Sequence, residues 1–360
     1  MNNQQTIQEI KSFSKSTIKI LSFLLVFMLL LEGMSITVFS KKAATQYQNS
    51  FSKSCSFTTE PKNSIDIALI GSSDLYSGFV PVELWDNYGY TSTVISTPKQ
   101  TVQRSYTFLE ELLKVQNPKL VIIETDMFYQ GVPLEDKAQI EIDKPKCFSI
   151  ISKAKKIIKL ISTFPIGENL ENHFTVFMFH DTWKTLKTNQ LKKLINRDSE
   201  ITCEHGYNFN KIIYPINDND RMAATNETEP IPDENVLYIQ KMLDECKSRG
   251  IRVMLIEMPS LTSWNYARYN AVKQLADNNN VEFIDLNLKE NFSTSQINCD
   301  SDYRDNGNHL NYYGAVKATH FFGSIIYDKH SDILTDRRND RQFAYWQQSS
   351  KEFKKKYNIK

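Results

Sequence analysis

An excess of charge of either sign is missing from this sequence: 43 Lys and Arg stand against 42 Asp and Glu, a formal net charge of +1. A surface built for a polyanion leaves a basic excess, so nucleic acid is not an expected partner. Paired cysteines are missing as well. Cys55, Cys147, Cys203, Cys246 and Cys299 include no Cys-x-x-Cys spacing. Zinc and thioredoxin-like chemistry are therefore unsupported, and no metal or cofactor is expected. Outside the cytosol up to two disulfides could form, leaving one thiol over. No internal repeat is present, and 17 Tyr with 21 Phe are too many aromatics for a largely disordered chain.

What is present begins with a hydrophobic segment at 18–39, whose dense part, 20–31, is apolar apart from Ser22. It is long enough to cross a bilayer, which takes roughly 20 residues. Lys11, Lys15 and Lys19 precede it and favour an amino terminus left inside, although Lys41 and Lys42 weaken the asymmetry. A cleaved signal peptide is the competing reading, with Val38-Phe39-Ser40 as a poor processing site. The apolar run exceeds a usual signal core, so an uncleaved single-pass anchor is expected, with the rest of the chain extracytoplasmic. Glu32 lies inside the segment. It reads either as a contact with a partner helix or as a carboxyl near the outer interface.

After a polar spacer at 40–63, residues 65–70 are apolar at five of six positions and read as a buried parallel strand. The strand ends in Gly71-Ser72-Ser73-Asp74-Leu75, where Gly71 permits a sharp turn and Ser73 is left at the carboxyl edge. Ligands of open α/β sheets bind at that edge. A helix with Pro81 in its first turn and Gly89 past its end follows. Strands are expected at 91–96 and 119–124, with a helix at 101–115 between them. That alternation argues for a doubly wound parallel sheet.

The alternation breaks over 127–231, which reads as an insertion. Within it, 149–161 carries six Ile and Ala on one side and four Lys on the rest. Such a helix either lies on a membrane surface or packs with a solvated lysine face. Order returns at Pro232-Asp233, with a helix at 234–249, a strand at 251–257, a helix at 263–276 and a fifth strand at 281–286. A polar loop then carries Asp302, Asp305 and His309 ahead of a helix at 312–326. Residues 331–360 read as a charged peripheral tail.

Ser73 and the 302–309 loop both follow strands, so a parallel sheet brings both to one rim. Nucleophilic acyl transfer needs a serine hydroxyl, an imidazole within reach and a carboxylate that fixes the imidazole tautomer. Ser73, His309 and either Asp305 or Asp302 supply those types. The bland alternative is a turn serine and a structural histidine.

Those motifs resemble the SGNH (GDSL-like) hydrolases and acyltransferases. The resemblance is closest to the membrane-anchored bacterial branch related to the D-alanine-transfer protein of teichoic acid modification and to alginate O-acetylation proteins. Gly71-Ser72-Ser73-Asp74-Leu75 is similar to that branch's Gly-Ser-Ser-acid-Leu block, which makes Ser73 the nucleophile. Asp305 to Asn311, with Gly314-Ala315, is similar to its Asp-x-x-His-Leu-Asn-x-x-Gly block, which makes His309 the base. Thr97-Pro98-Lys99-Gln100-Thr101 resembles its Pro-Gly-Gln-Thr segment, with Lys99 in place of the usual Gly. The resemblance spans about residues 62–327, and only loosely through His180-Asp181-Thr182-Trp183 in the insertion.

Two departures stand out. The family's Asp precedes its His by three residues, but Asn306 occupies that place here and Asp305 stands four before. Gly307 can absorb the extra residue, so Asp305 is the expected partner with Asp302 in reserve. The family's Asn block is missing; Glu124-Thr125-Asp126 follows the third strand instead. The oxyanion donors are then expected to be the Ser73 or Asp74 N–H, with the Gln100 side chain.

The resemblance implies a three-layer α/β/α sandwich around a mostly parallel five-stranded sheet, with the anchor and a large, mostly helical insertion. It implies an acyltransferase acting on a cell-envelope polysaccharide or teichoic acid, supplied by an MBOAT-type membrane acyl donor that Glu32 could contact. An esterase with the same triad and a non-catalytic envelope scaffold are the alternatives.

Overall fold

The structure is a computed structural model that describes residues 3–36, 56–131, 176, 202–217 and 222–359. It divides into two compact units, one of 1–48 with 147–198 and one of 49–146 with 199–360. The first unit contains helix α1 (Asn3–Ile36). Its stretch Lys15–Ser35 is long and apolar enough to cross a membrane, a property that a signal sequence shares. The side chains of Leu21, Phe23, Leu25 and Leu29 are all exposed. Glu32 is half-buried near the helix end. The basic segment at 149–161 and the 180–183 match lie outside the described residues.

The second unit is built on five parallel strands in the order β2-β1-β3-β4-β5. They are β1 (Ile67–Gly71), β2 (Ser92–Ser96), β3 (Leu120–Glu124), β4 (Arg252–Glu257) and β5 (Glu282–Asp285). Period-two alternation explains why both faces are covered. Ala68 and Ile70 of β1, with Val121 and Ile123 of β3, pack on one face. There they meet α4 (Val102–Leu112), α5 (Asp233–Ser248) and α6 (Tyr266–Asn279). Ile67, Leu69, Leu120 and Ile122 point to the other face. That face packs against α2 (Ser73–Gly78), α3 (Pro81–Tyr88) and α8 (Tyr312–His330). The expected three-layer α/β/α arrangement and five parallel strands are therefore present.

β1 pairs with β2 on one side and β3 on the other, so the winding direction reverses between β1 and β3. In open sheets that reversal opens a crevice at the carboxyl ends of the strands. Gly71 stands at its floor: a Cβ there would lie 2.6 Å from the Glu124 Cβ.

The expected helix with Pro81 in its first turn and Gly89 past its end is α3, and α2 stands ahead of it, starting directly at Ser73. A further short helix, α7 (Lys289–Ser295), precedes the polar loop. The peripheral tail is instead packed structure. Its helix α9 (Ala344–Lys356) buries Trp346 and Phe353 completely. Trp346 stacks on Trp85 at 5.5 Å and on the buried His205 at 3.7 Å. Arg337 pairs with Asp66 just before β1 at 2.9 Å, and Lys354 with Asp86 at 2.7 Å. Two of the charges that made the segment look peripheral thus pair with the domain.

Residues 202–217, expected inside the insertion, are laced into this unit. Val94 of β2 donates its N–H to the His205 carbonyl at 2.9 Å, and Tyr207 is fully buried. Among the described residues, Cys203, Cys246 and Cys299 are not joined in disulfides, while Cys55 and Cys147 lie outside the described residues.

Lys99, which replaces the glycine of the resembled family, holds φ at +49°. A side chain in that region costs about 1–2 kcal/mol from contact of Cβ with the following carbonyl. Lys99→Gly is expected to raise unfolding free energy by about 0.5–1 kcal/mol, part of the strain being offset by the greater freedom of Gly in the unfolded chain. Urea titration measures it, and a destabilised variant would contradict the strain.

Candidate active site

The nucleophile candidate Ser73 is the first residue of α2 and is partly exposed at the end of β1. Ser72 caps the helix: its Oγ accepts the Asp74 N–H at 3.4 Å. The Ser72 N–H in turn donates to Glu124 Oε2 at 2.7 Å. The elbow is thus tied to the neighbouring strand through one carboxylate. The Tyr76 phenol lies beside Ser73, and the Arg304 guanidinium lies over its ring at 5.9 Å.

His309 comes from the loop between α7 and α8. Asp305 grips it twice, its Oδ2 lying 2.5 Å from His309 Nδ1 and its Oδ1 accepting the His309 N–H at 3.0 Å. Gly307, at φ +96°, makes the tight turn that lets a carboxylate four residues upstream do this. Burial opposes charge on Asp305, but hydrogen bonds from His309 and the Asn308 N–H outweigh it and hold the carboxyl below its ordinary range. An anion on Nδ1 leaves Nε2 as the basic atom of the ring.

Asp302 sits elsewhere. It is buried, and its carboxylate accepts from the Asn298 N–H at 2.7 Å and the Ser301 hydroxyl at 2.9 Å, and pairs with Lys317 at 2.6 Å. It anchors the loop to α8 and makes no contact with His309, so the reserve role is withdrawn. The Gln100 expectation is corrected too. That side chain is fully buried, and its amide donates to the Ile95 carbonyl at 3.2 Å and to Ser105 Oγ at 2.9 Å. Both hydrogens are spent on the loop after β2, which leaves none for an oxyanion. Of the expected backbone donors, the Asp74 N–H leans on Ser72 Oγ at long range, while Ser73 occupies a first helical position, where no intrahelical acceptor exists.

His309 Nε2 faces Asp74 Oδ1 at 3.5 Å, and no hydrogen bond joins it to Ser73. Sequence reasoning did not single out Asp74 as a neighbour of the base. The available signal was its place directly after Ser73. Asp74 is one of several buried acids along the rim: Glu124 ends β3, Asp126 stands two residues beyond it, and Glu257 ends β4. Asp74, Glu124 and Asp126 bring carboxylate oxygens within 4.8 Å of one another. Both Glu124 oxygens already accept backbone N–H groups, from Ser72 and Asp126, and we assign no metal to the group. Burial, then the charge of Asp126, pushes Glu124 up to about 8. Asp74 and Glu257 are pushed well up, first by burial and then by neighbouring carboxylates.

These raised acids fix the sign of a pH effect. The unfolded chain releases their protons near pH 4, whereas the folded chain keeps them, so stability falls as pH rises from there towards 8. Each such group contributes at most about 1.4 kcal/mol per pH unit. Urea unfolding between pH 5 and 8 is expected to show this decline, and Glu124→Gln to flatten it. An unchanged slope in the variant would contradict the assignment.

No family model and no curated protein matches this sequence. Among solved structures, a GDSL-like lipase from Bacteroides thetaiotaomicron aligns at 11% identity over 79% of this chain and 100% of its own, with a TM-score of 0.36. A protein assigned to the lipolytic G-D-S-L family from Desulfitobacterium hafniense aligns at 11% identity over 72% of this chain and 99% of its own, with a TM-score of 0.34. Likenesses this distant carry no argument about fold or activity, which rest on the geometry above.

Proposed function

We propose that this protein is a serine-dependent acyl-transfer enzyme with Ser73 as nucleophile, His309 as general base and Asp305 as its orienting carboxylate. The observation that carries the reading is the Asp305 clamp on His309 Nδ1, which turns Nε2 towards the residue adjoining Ser73. Ser73 Oγ attacks the acyl carbonyl while its proton moves to Nε2. The leaving alcohol then takes that proton, and an acyl-enzyme remains. The oxyanion is received by the Ser73 N–H, a type of donor worth roughly 3 kcal/mol to the transition state. Nucleophile–base hydrogen bonds of empty sites are often long and tighten with substrate, which accommodates the open Ser73–His309 contact.

The motif resemblance and the apolar helix α1 support the finer reading: an extracytoplasmic, membrane-anchored acyltransferase moving an acetyl or D-alanyl group to or from a cell-envelope polysaccharide or teichoic acid. An MBOAT-type membrane protein would donate the acyl group, with Glu32 on α1 as its contact. In an esterase the same residues would act, with water in place of the sugar or polyol hydroxyl.

A fluorophosphonate probe is expected to label the wild-type chain, and Ser73→Ala to abolish labelling. Asp305→Asn is expected to slow it by about 10²–10⁴-fold through loss of the tautomer lock. Release of acetate from acetylated glycan with no acceptor present would select the esterase. A wild-type chain that the probe ignores would contradict catalysis and leave an envelope scaffold.

A further inference from the structure

The His309 imidazole stands between two carboxylates, not one. Asp305 holds Nδ1 at 2.5 Å, and Asp74 Oδ1 lies 3.5 Å from Nε2, the atom that has to receive the serine proton. We propose that Asp74 is a positioning residue that competes with Ser73 for His309 Nε2, so that the imidazole accepts the serine proton only after the Asp74–His309 pair has released its own. The inference rests on the acyl-transfer reading and says when that site is active.

The geometry supports it from every side. Asp74 is fixed by its place in the first turn of α2, one residue past the nucleophile, and only 6% of it is exposed. Across from it stand Glu124 at the end of β3 and Asp126 just beyond, whose oxygens come within 4.8 Å of its own. The last loop presents Asp305 and His309, together with the Arg304 guanidinium, whose charge also acts on it. A carboxylate so placed, out of water and beside two others, retains a proton where an exposed one would lose it. A single proton shared between Asp74 and Nε2, written as O–H···N or as O⁻···H–N⁺, occupies the lone pair that Ser73 needs. Loss of that proton to solvent leaves Nε2 free. Ser73 Oγ can then give up its proton to Nε2 as the O–C bond to the acyl group forms, and the proton goes on to the leaving alcohol. Neighbouring sites coupled in this way titrate as a pair, so the rate reports one shared midpoint.

The test is the pH dependence of fluorophosphonate labelling of the full chain in detergent, for wild type, Asp74→Ala and Asp74→Glu. Wild-type labelling is expected to rise with pH. The midpoint is expected to fall by about half a pH unit or more in Asp74→Ala, whose methyl group neither shares a proton with Nε2 nor donates to it, and to return towards wild type in Asp74→Glu. A purely structural role would change the amplitude or thermal stability and leave the midpoint in place. An unchanged midpoint in Asp74→Ala overturns the proposal, as does loss of labelling in an Asp74→Ala chain that melts like wild type. Should that variant not fold, Asp126→Asn removes a charge that keeps Asp74 protonated. It is expected to move the midpoint the same way, and an unmoved midpoint overturns the proposal. Absence of wild-type labelling at every pH would instead sink the acyl-transfer reading itself.

Discussion

One contact governs the site: the carboxyl end of β1 lies so close to that of β3 that only glycine fits at position 71, and Glu124 reaches across to take the Ser72 N–H. The close approach ends the strand, and the hydrogen bond fixes where the chain turns. Ser73 then emerges at the start of α2 and not one residue earlier or later. A shift by one residue would exchange Ser73 for Ser72 or Asp74 at the rim, because successive side chains project in different directions. The same carboxylate accepts the Asp126 N–H and so ties the loop after β3 into the elbow. Placing it there has an electrostatic consequence: three acids share one unsolvated crevice and cannot all be charged.

The second half of the site is held by a different device. Residues 208–216 run as a strap between the segment of Ser73 and the segment of His309. The Asn208 N–H donates to the Tyr76 carbonyl on α2, the Tyr312 N–H to the Asn210 carbonyl, and the Tyr214 N–H to the Tyr303 carbonyl. The strap is therefore bonded both to the helix that carries Ser73 and to the loop that carries His309. It is held against the domain by Tyr207 and Phe353 in one apolar cluster. In this way the carboxyl-terminal helix supports the spacing of a site to which it contributes no side chain.

Much of this was readable from the sequence. The buried strands announce themselves as short apolar runs bounded by turn residues, and the parallel arrangement follows from their alternation with helices. The Gly-Ser-Ser elbow and the Asp-rich loop before His309 were visible for the same reason: each is a local pattern. What the sequence hid was non-local. Trp346 and Phe353 sit among lysines and polar residues, so nothing nearby marks them as core; their partners Trp85, His205 and Tyr207 lie more than a hundred residues away. Gln100 matched a family segment, yet its amide turns inward, a choice set by the Ile95 carbonyl and Ser105. Asp302 and Asp305 are equivalent by composition. Only the Lys317 side chain, one turn into the next helix, separates the structural acid from the one on His309.

The central claim is that Ser73 and His309 act together on an acyl group. Rapid-quench mass spectrometry of the chain with an activated acetyl ester tests it most directly. The account expects a single acetyl adduct on the peptide containing Ser73 in the wild-type chain and none in His309→Ala. An adduct on another residue, or equal acetylation without the imidazole, would contradict it.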